Sequence, residues 1–149
     1  MSARFAAAVH VLALLEQHAG VPVPSAALAA SLDTHPTHVR RLLGALAAAG
    51  ITTSRLGAGG GALLARRADR ITLLDVYRAV DDGELFGRLA AKPDPADEVG
   101  RNLGAALAPH FDAAARAVER ELVRATVADV LREVGRQELR RRRGATPGS

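Results

Sequence analysis

Hydrophobic residues recur three or four positions apart along most of this chain, and that spacing predicts a mainly α-helical fold. A first helix is predicted over residues 4–18, and its inward stripe consists of Phe5, Val9, Leu12 and Leu15. A short second helix is predicted over residues 25–32. A third begins at Pro36, since proline suits the first helical position, and ends near Ala49, before Gly50. The tight turn between the second and third helices is typical of a helix-turn-helix.

The predicted third helix has one hydrophobic face and one face of small and basic residues. Its inward stripe comprises Val39, Leu42, Leu43 and Leu46. At about 100° per residue, Thr37, Arg41 and Gly44 lie on the opposite face, and His38 and Arg40 flank it. A face of Thr, His and two Arg, with small residues beyond them and no carboxylate to repel phosphates, can enter a DNA groove. We therefore predict that Thr37, His38 and Arg41 read base edges, and that Arg40 contacts a phosphate or the wing region.

A β-hairpin is predicted directly after the third helix. The segment of residues 51–55 is short and rich in β-branched residues, which predicts a strand, and residues 62–65 are predicted to form the returning strand. The turn between them contains Gly57, Gly59, Gly60 and Gly61. These glycines loosely resemble a dinucleotide-binding fingerprint, but that fingerprint requires a helix to follow rather than a strand. The pattern favours a wing in which Ser54 and Arg55 contact DNA, while Gly59 and Gly60 permit close approach of the backbone.

The second half of the chain is predicted to be helical apart from one irregular stretch. Thr72 and Asp75 form a capping box for a helix that ends near Asp82, and residues 83–98 are irregular. A long helix follows, with an apolar stripe of Val99, Leu103, Leu107, Phe111, Ala114, Val118 and Leu122. A last helix starts at a second capping box, Thr126 to Asp129, and residues 140–143 are predicted to begin a basic, frayed tail.

The long helix carries more apolar surface than the surrounding chain can cover. Packing against a second copy would bury the stripe and generate a twofold homodimer. The alternative is a monomer in which this helix folds back onto the first. We favour the dimer, whose two recognition helices would read a palindromic operator in successive major grooves about 34 Å apart.

These elements predict three regions along the chain. Residues 1–82 form a winged helix-turn-helix DNA-binding domain, residues 83–143 a linker and helical dimerisation region, and residues 144–149 a disordered tail. No run is long and apolar enough for a membrane span, and the N-terminus lacks a secretory pattern, so a cytoplasmic location is expected.

Composition permits a nucleic-acid partner and excludes several other chemistries. The net charge is +4 with a sequence pI of about 10.8, and Lys92 is the only lysine among 20 basic residues. A high-GC genome would favour the same Arg and Ala content, so the charge is permissive rather than diagnostic. The chain has no cysteine, which excludes disulfides, thiolate catalysis and cysteine-held iron–sulfur clusters. His35 and His38 are too few for a closed metal site, and no Ser/His/Asp set is suggested by spacing, so we expect no metal and no enzyme.

Three segments occur in order: H-P-T-H-V-R-R-L-L, S-R-L-G-A-G-G-G-A-L-L and I-T-L-L-D-V-Y-R-A-V. Together they resemble the Rrf2 family of winged helix-turn-helix transcriptional regulators. The resemblance implies a dimer that binds double-stranded DNA through Thr37, His38, Arg40 and Arg41, with minor-groove contact by the wing over residues 54–61.

The chain departs from the family pattern at two places. Members with an iron–sulfur cluster carry a cysteine triad where this chain has the cysteine-free residues 83–100, so it resembles the cluster-free subgroup without a cofactor. The wing position before the first glycine is often basic, whereas here it is Leu56, and Arg55 is the candidate to replace it.

These observations predict a dimeric transcriptional regulator that acts as a repressor. A winged-helix protein-interaction module without DNA binding is the alternative. Two possibilities stay open for regulation: a small-molecule effector bound between the two halves, or no effector at all.

Overall fold

The computed structural model describes residues 3–81 and 94–145. The described residues form helices α1 (Ala3–Gln17), α2 (Ser25–Ser31), α3 (Pro36–Ala48), α4 (Leu73–Val80), α5 (Glu98–Leu122) and α6 (Val127–Gly144), a 3₁₀ turn (Ala68–Arg70), and strands β1 (Thr52–Arg55) and β2 (Gly61–Leu64). This mainly helical architecture with one antiparallel hairpin confirms the predicted fold class. None of the helices among these residues has the length and apolarity to cross a membrane.

The core lies where α1, α2, α3, α4 and the hairpin meet, and α1 runs through it. The predicted inward stripe of α1 was partly wrong. Ala8 and Val11 are fully buried together with Leu12 and Leu15, whereas Phe5 and Val9 are only half-buried. Because α1 is apolar on most of its circumference, hydrophobic spacing alone could not select the face that packs inward.

The hairpin is attached through β2 to the connector between α1 and α2. Strands β1 and β2 pair from Thr52 opposite Leu64 to Arg55 opposite Gly61. The connector between α1 and α2 adds an isolated bridge, in which Val23 and Ala62 exchange two backbone hydrogen bonds of 3.0 and 2.9 Å. Strand β2 therefore has backbone hydrogen bonds on both of its edges near the turn, which restricts the orientation of the hairpin relative to the helices.

The two predicted capping boxes are confirmed, and they lie side by side. Thr72 caps α4 with Asp75, and Thr126 caps α6 with Asp129, each through reciprocal side-chain and backbone hydrogen bonds. An antiparallel bridge pairs Thr72 with Thr126. Val127, at the start of α6, is fully buried in the same core as α1. The first turn of α6 is thus anchored to the winged unit, by which we mean helices α1 to α4 together with the β1–β2 hairpin.

Helix α5 differs from the helices that form the core, because none of its residues is buried. Its described link to α4 includes an exposed ion pair between Arg78 and Glu119, 3.2 Å apart. Helix α5 continues through Pro109. The predicted boundary at residues 82 and 83 lies outside the described residues.

The prediction of a frayed tail from residue 140 was wrong, since α6 continues to Gly144. Arginine is a good helix former, and the Arg142 guanidinium donates to the Glu138 carboxylate, one turn earlier, at 2.8 Å. A run of basic residues therefore does not end the helix here. Of the predicted disordered tail, residues 146–149 lie outside the described residues.

Candidate nucleic-acid interface

Helix α3 begins at a cap that the sequence analysis did not identify. His35 is the N-cap, and its Nδ1 accepts a hydrogen bond from the Thr37 backbone N–H at 3.2 Å, with Pro36 at the first helical position. The helix ends before Gly50, whose φ of +72° is readily adopted only by glycine. Both ends of the helix are therefore fixed by local chemistry. Histidine is an unusual capping residue, which explains why pattern reading missed it.

The exposed face of α3 carries the residues that were predicted for it. Val39, Leu42 and Leu46 are buried, and Leu43 is half-buried. The predicted contact residues of this helix are all exposed: Thr37, His38, Arg40 and Arg41. Gly44 is also exposed, and a Cβ placed on it would meet no atom within 4 Å. The face is thus open and flat at its centre.

The wing places Ser54 and Arg55 beside this face. A cleft of about 300 Å³ lies between α3 and the hairpin, and its lining includes Arg40, Gly44, Ser54, Arg55 and Gly61. Three of the predicted contact residues therefore share one concave surface, although they lie on different elements. Ser25, at the start of α2, lines the same cleft and was not among the predicted residues.

His38 and Arg41 face a second cleft on the other side of α3. This cleft has a volume of about 550 Å³ and is also lined by Arg4 of α1 and by Asp33 and Thr34 of the turn. Arg4 brings another basic residue towards the recognition helix, whereas Asp33 contributes a carboxylate. Neither neighbour was predicted, because the packing of α1 beside α3 is not encoded by a local pattern.

The glycines of the wing have distinct structural roles. Gly59 has a φ of +72° and open space around it. A Cβ on Gly60 would lie 2.2 Å from the Arg55 carbonyl oxygen, so glycine is needed for the turn to close. Gly61 has a φ of +154°, and its Cβ would lie 2.4 Å from the Val23 carbonyl carbon. Gly60 and Gly61 therefore shape and dock the hairpin, whatever the tip itself contacts.

The basic residues of this surface are electrostatically available. Over residues 3–81 and 94–145, no ion pair or side-chain hydrogen bond engages Arg40, Arg41 or Arg55. Elsewhere guanidinium groups are engaged, as in the pair of Arg67 with Asp69 at 2.7 Å. An unpaired guanidinium presents its planar set of donors to phosphate or to a guanine edge, with no intramolecular ion pair to break first.

A recognition helix with an open basic face, supported by a second helix and flanked by a two-stranded wing, defines the winged helix-turn-helix class. Within that class the chain belongs to the Rrf2 family, whose family model, described as an iron-dependent transcriptional regulator, matches residues 1–133. The predicted family is confirmed. Because this family consists of transcriptional regulators, the prediction that the chain is not an enzyme is also confirmed.

Individual relatives agree with this assignment. The chain is 37% identical over 131 residues to YwnA of Bacillus subtilis (strain 168), described as an HTH-type transcriptional regulator, with 88% of this chain and 96% of YwnA covered. A solved structure described as a DNA-binding protein is 35% identical, with a TM-score of 0.68 and coverage of 87% and 99%. A structure described as a transcriptional regulator from Lactobacillus plantarum is 26% identical, with a TM-score of 0.77 and coverage of 98% and 100%.

The family's description mentions iron, but this chain has no cysteine that could hold an iron–sulfur cluster. The sequence contains no cysteine, so the thiolate ligands of an iron–sulfur cluster are missing. In the described ranges, no three side chains from histidine, aspartate or glutamate gather as a metal site. The donor set therefore does not fit an iron–sulfur cluster.

Proposed function

We propose that this chain is a homodimeric transcriptional repressor that binds a palindromic operator without an iron–sulfur cluster. The observation that carries the proposal is the pairing of two surfaces: an open basic face on α3 and a 25-residue helix, α5, with no buried residue. The first surface suits DNA, and the second suits another copy of the chain. Residues 1–82 would then bind DNA, and residues 83–143 would hold two copies together.

On the operator, α3 would lie in the major groove and the wing beside the flanking minor groove. Thr37, His38 and Arg41 would contact base edges. The cleft shared by Arg40, Ser54 and Arg55 would receive the phosphate backbone between the two grooves, since it lies between α3 and the hairpin. Gly59 and Gly60, which carry no side chains, would let the tip backbone approach the DNA closely.

The first experiment selects bound fragments from the source genome and measures their affinity for the chain. We expect a palindrome whose half-sites are centred one helical turn, about 34 Å, or a multiple of that apart. Affinity should fall linearly with salt concentration on logarithmic axes, since phosphate contacts release counterions. DNA would be overturned as the partner if the chain changed the electrophoretic mobility of no genomic fragment, or if its affinity for DNA did not depend on salt concentration.

Arg41→Ala tests the recognition face directly. Loss of one arginine contact to guanine should weaken operator binding by about 1–3 kcal/mol and relax sequence preference at one position of each half-site. Arg124→Ala is the matched control, because it removes the same charge from an exposed site two residues after the end of α5. Equal affinity for Arg41→Ala and the wild-type chain would refute the assignment of α3 as the recognition helix.

Repression is tested by transcription in vitro from a promoter that contains the selected operator. We expect transcript levels to fall as the chain is added, and to recover when Arg41→Ala replaces the wild-type chain. A rise in transcript with the wild-type chain would make it an activator instead.

A further inference from the structure

The wing tip carries one large side chain, and that side chain is apolar. Residues 56–60 are Leu-Gly-Ala-Gly-Gly, so Leu56 is the only tip residue with more than a methyl group. Its side chain is 92% exposed, the highest exposure of any large hydrophobic residue in the described ranges. A single exposed leucine is ordinary on a protein surface. Leu56 differs from such residues because it lies at the tip of the wing.

Leu56 is held in place by a closed turn rather than by a long loop. The Gly60 N–H donates to the Gly57 carbonyl at 3.0 Å, and the turn packs tightly beneath the Arg55 carbonyl because Gly60 has no Cβ. Arg55, the residue before Leu56, lines the cleft shared with α3. The tip is therefore continuous with the candidate DNA surface, and the cationic Arg55 directly precedes its apolar residue.

We propose that Leu56 enters the minor groove beside each half-site and selects against G·C pairs there. This inference rests on the proposed function, because it needs the chain on DNA. Apolar side chains, leucine among them, are used by other proteins to contact or wedge into the minor groove. The only exposed chemistry that the tip side chains offer is apolar, since Ala58 and the glycines cannot donate or accept through side chains.

The selection follows from the groove's chemistry. Every base pair presents acceptors on the minor-groove floor, and G·C adds the guanine N2 amino group, which projects from that floor. Leucine cannot accept a hydrogen bond, so it would press on this amino group and leave its N–H unpaired. A·T pairs lack the group and leave room for the side chain. Leu56 would therefore read the absence of the amino group rather than a specific base.

The test uses inosine, which keeps the major-groove edge of guanine but lacks its N2 amino group. In a selected operator, flanking pairs are changed one at a time to A·T, I·C or G·C. At the pair that faces the wing, we expect A·T and I·C to bind alike and G·C to bind about tenfold more weakly. With Leu56→Ala this difference should shrink to less than about twofold, because the small side chain leaves the amino group hydrated.

Two control variants separate this effect from others. Val134→Ala shortens a side chain that is 50% exposed on α6, and it should keep the full discrimination between I·C and G·C. Arg41→Ala should weaken binding to all the flanking variants while preserving their order. Thermal unfolding of Leu56→Ala should match that of the wild-type chain, because the side chain has few contacts to lose.

The outcomes distinguish this inference from the function on which it rests. If the wild-type chain binds its operator but treats I·C and G·C alike at every flanking pair, the role of Leu56 is refuted and the regulator stands. The role of Leu56 is also refuted if the Leu56→Ala variant discriminates between I·C and G·C as strongly as the wild-type chain. It is refuted as well if Leu56→Ala changes the oligomeric state, because the tip would then contact another protein chain. If the wild-type chain binds no genomic fragment, the proposed function fails and this inference fails with it.

Discussion

Helices α1 and α5 both carry hydrophobic residues at helical spacing, yet they end in opposite environments. In its 15 residues α1 buries Ala8, Val11, Leu12 and Leu15 against α3, α4, α6 and the hairpin. In its 25 residues α5 buries none. Spacing therefore encodes a face that prefers to leave water, but it does not encode the partner. For α1 the partner is the same chain, and for α5 we propose a second copy.

The largest expected loss of stability comes from a substitution in α1, the buried helix of the two. Leu12 has no exposed surface, so Leu12→Ala should lower the free energy of unfolding by about 2–5 kcal/mol, through lost burial and the cavity left behind. Urea denaturation monitored by circular dichroism measures the change. Leu103→Ala on α5, at a concentration low enough to keep the chain monomeric, should cost much less. If the two variants lost the same free energy of unfolding, α1 and α5 would not differ in how much their apolar side chains stabilise the monomer.

The second prediction addresses the partner of α5. Leu103 is 39% exposed on the apolar stripe, and Leu103→Glu would place a carboxylate in the proposed dimer interface. We expect the dimer dissociation constant to rise at least about a hundredfold, equivalent to about 3 kcal/mol, with monomer mass by light scattering and weaker operator binding.

Ala105→Glu provides a matched control for this variant. It adds the same charge two residues away, on the exposed face roughly opposite the stripe, and it should remain dimeric. If Leu103→Glu and Ala105→Glu have the same mass as the wild-type chain, the apolar stripe is not the dimer interface. A wild-type chain that is monomeric at micromolar concentration would contradict the dimer directly.

A third prediction concerns the junction where α6 is anchored to the winged unit. Thr126→Ala removes the N-cap of α6 and should lower the free energy of unfolding by about 1 kcal/mol. Thr126→Ser keeps the capping hydroxyl and should restore most of that stability. If alanine and serine at this position are equally stable, the capping box does not stabilise α6.

The same junction has a defined response to acid. The Thr126 backbone N–H, followed by the Thr126 side chain and the charge of Arg132, lowers the pKa of the Asp129 carboxyl below its ordinary value. A lowered pKa in the folded state means that this contribution is complete above about pH 4 and is lost as pH falls through the folded pKa. Asp129→Asn should lack this part of the acid sensitivity in urea titrations repeated from pH 6 to pH 2.

The smallest effect is expected for the ion pair between α4 and α5. Arg78 and Glu119 are both substantially exposed, so Arg78→Ala should change the free energy of unfolding by at most about 1 kcal/mol, and less at high salt. Double-mutant cycles with Glu119→Ala measure the coupling. A coupling energy well above 1 kcal/mol would show that α5 is attached to the winged unit more firmly than its exposure indicates.

Local signals in the sequence predicted the elements that carry local chemistry. Pro36 and Gly50 delimit α3, and the two Thr-x-x-Asp boxes mark the starts of α4 and α6, because each signal acts within one helical turn. The exposed face of α3 followed from its hydrophobic spacing. The candidate contact residues of α3 could therefore be placed on one surface from the amino-acid sequence alone, although their contacts with DNA stay a prediction.

The features that were missed depend on residues distant in sequence or on unusual chemistry. The bridge between Val23 and Ala62, and the docking of α6 beside α1, join segments whose sequences carry no mark of each other. The same is true of Arg4, which reaches the cleft at His38 only through the packing of α1. The role of His35 was missed for a different reason, because histidine rarely caps helices.

The burial of Val127 against α1 has a consequence for how this protein is made. Helices α1 and α6 lie near opposite ends of the chain but share one core, so the contacts that close this core span almost the entire sequence. A nascent chain emerging from the ribosome will have released its recognition helix and wing long before α6 is synthesised. Until then α1 lacks its contacts with α6. Synthesis of the last helix therefore sets the earliest moment at which this core can close completely.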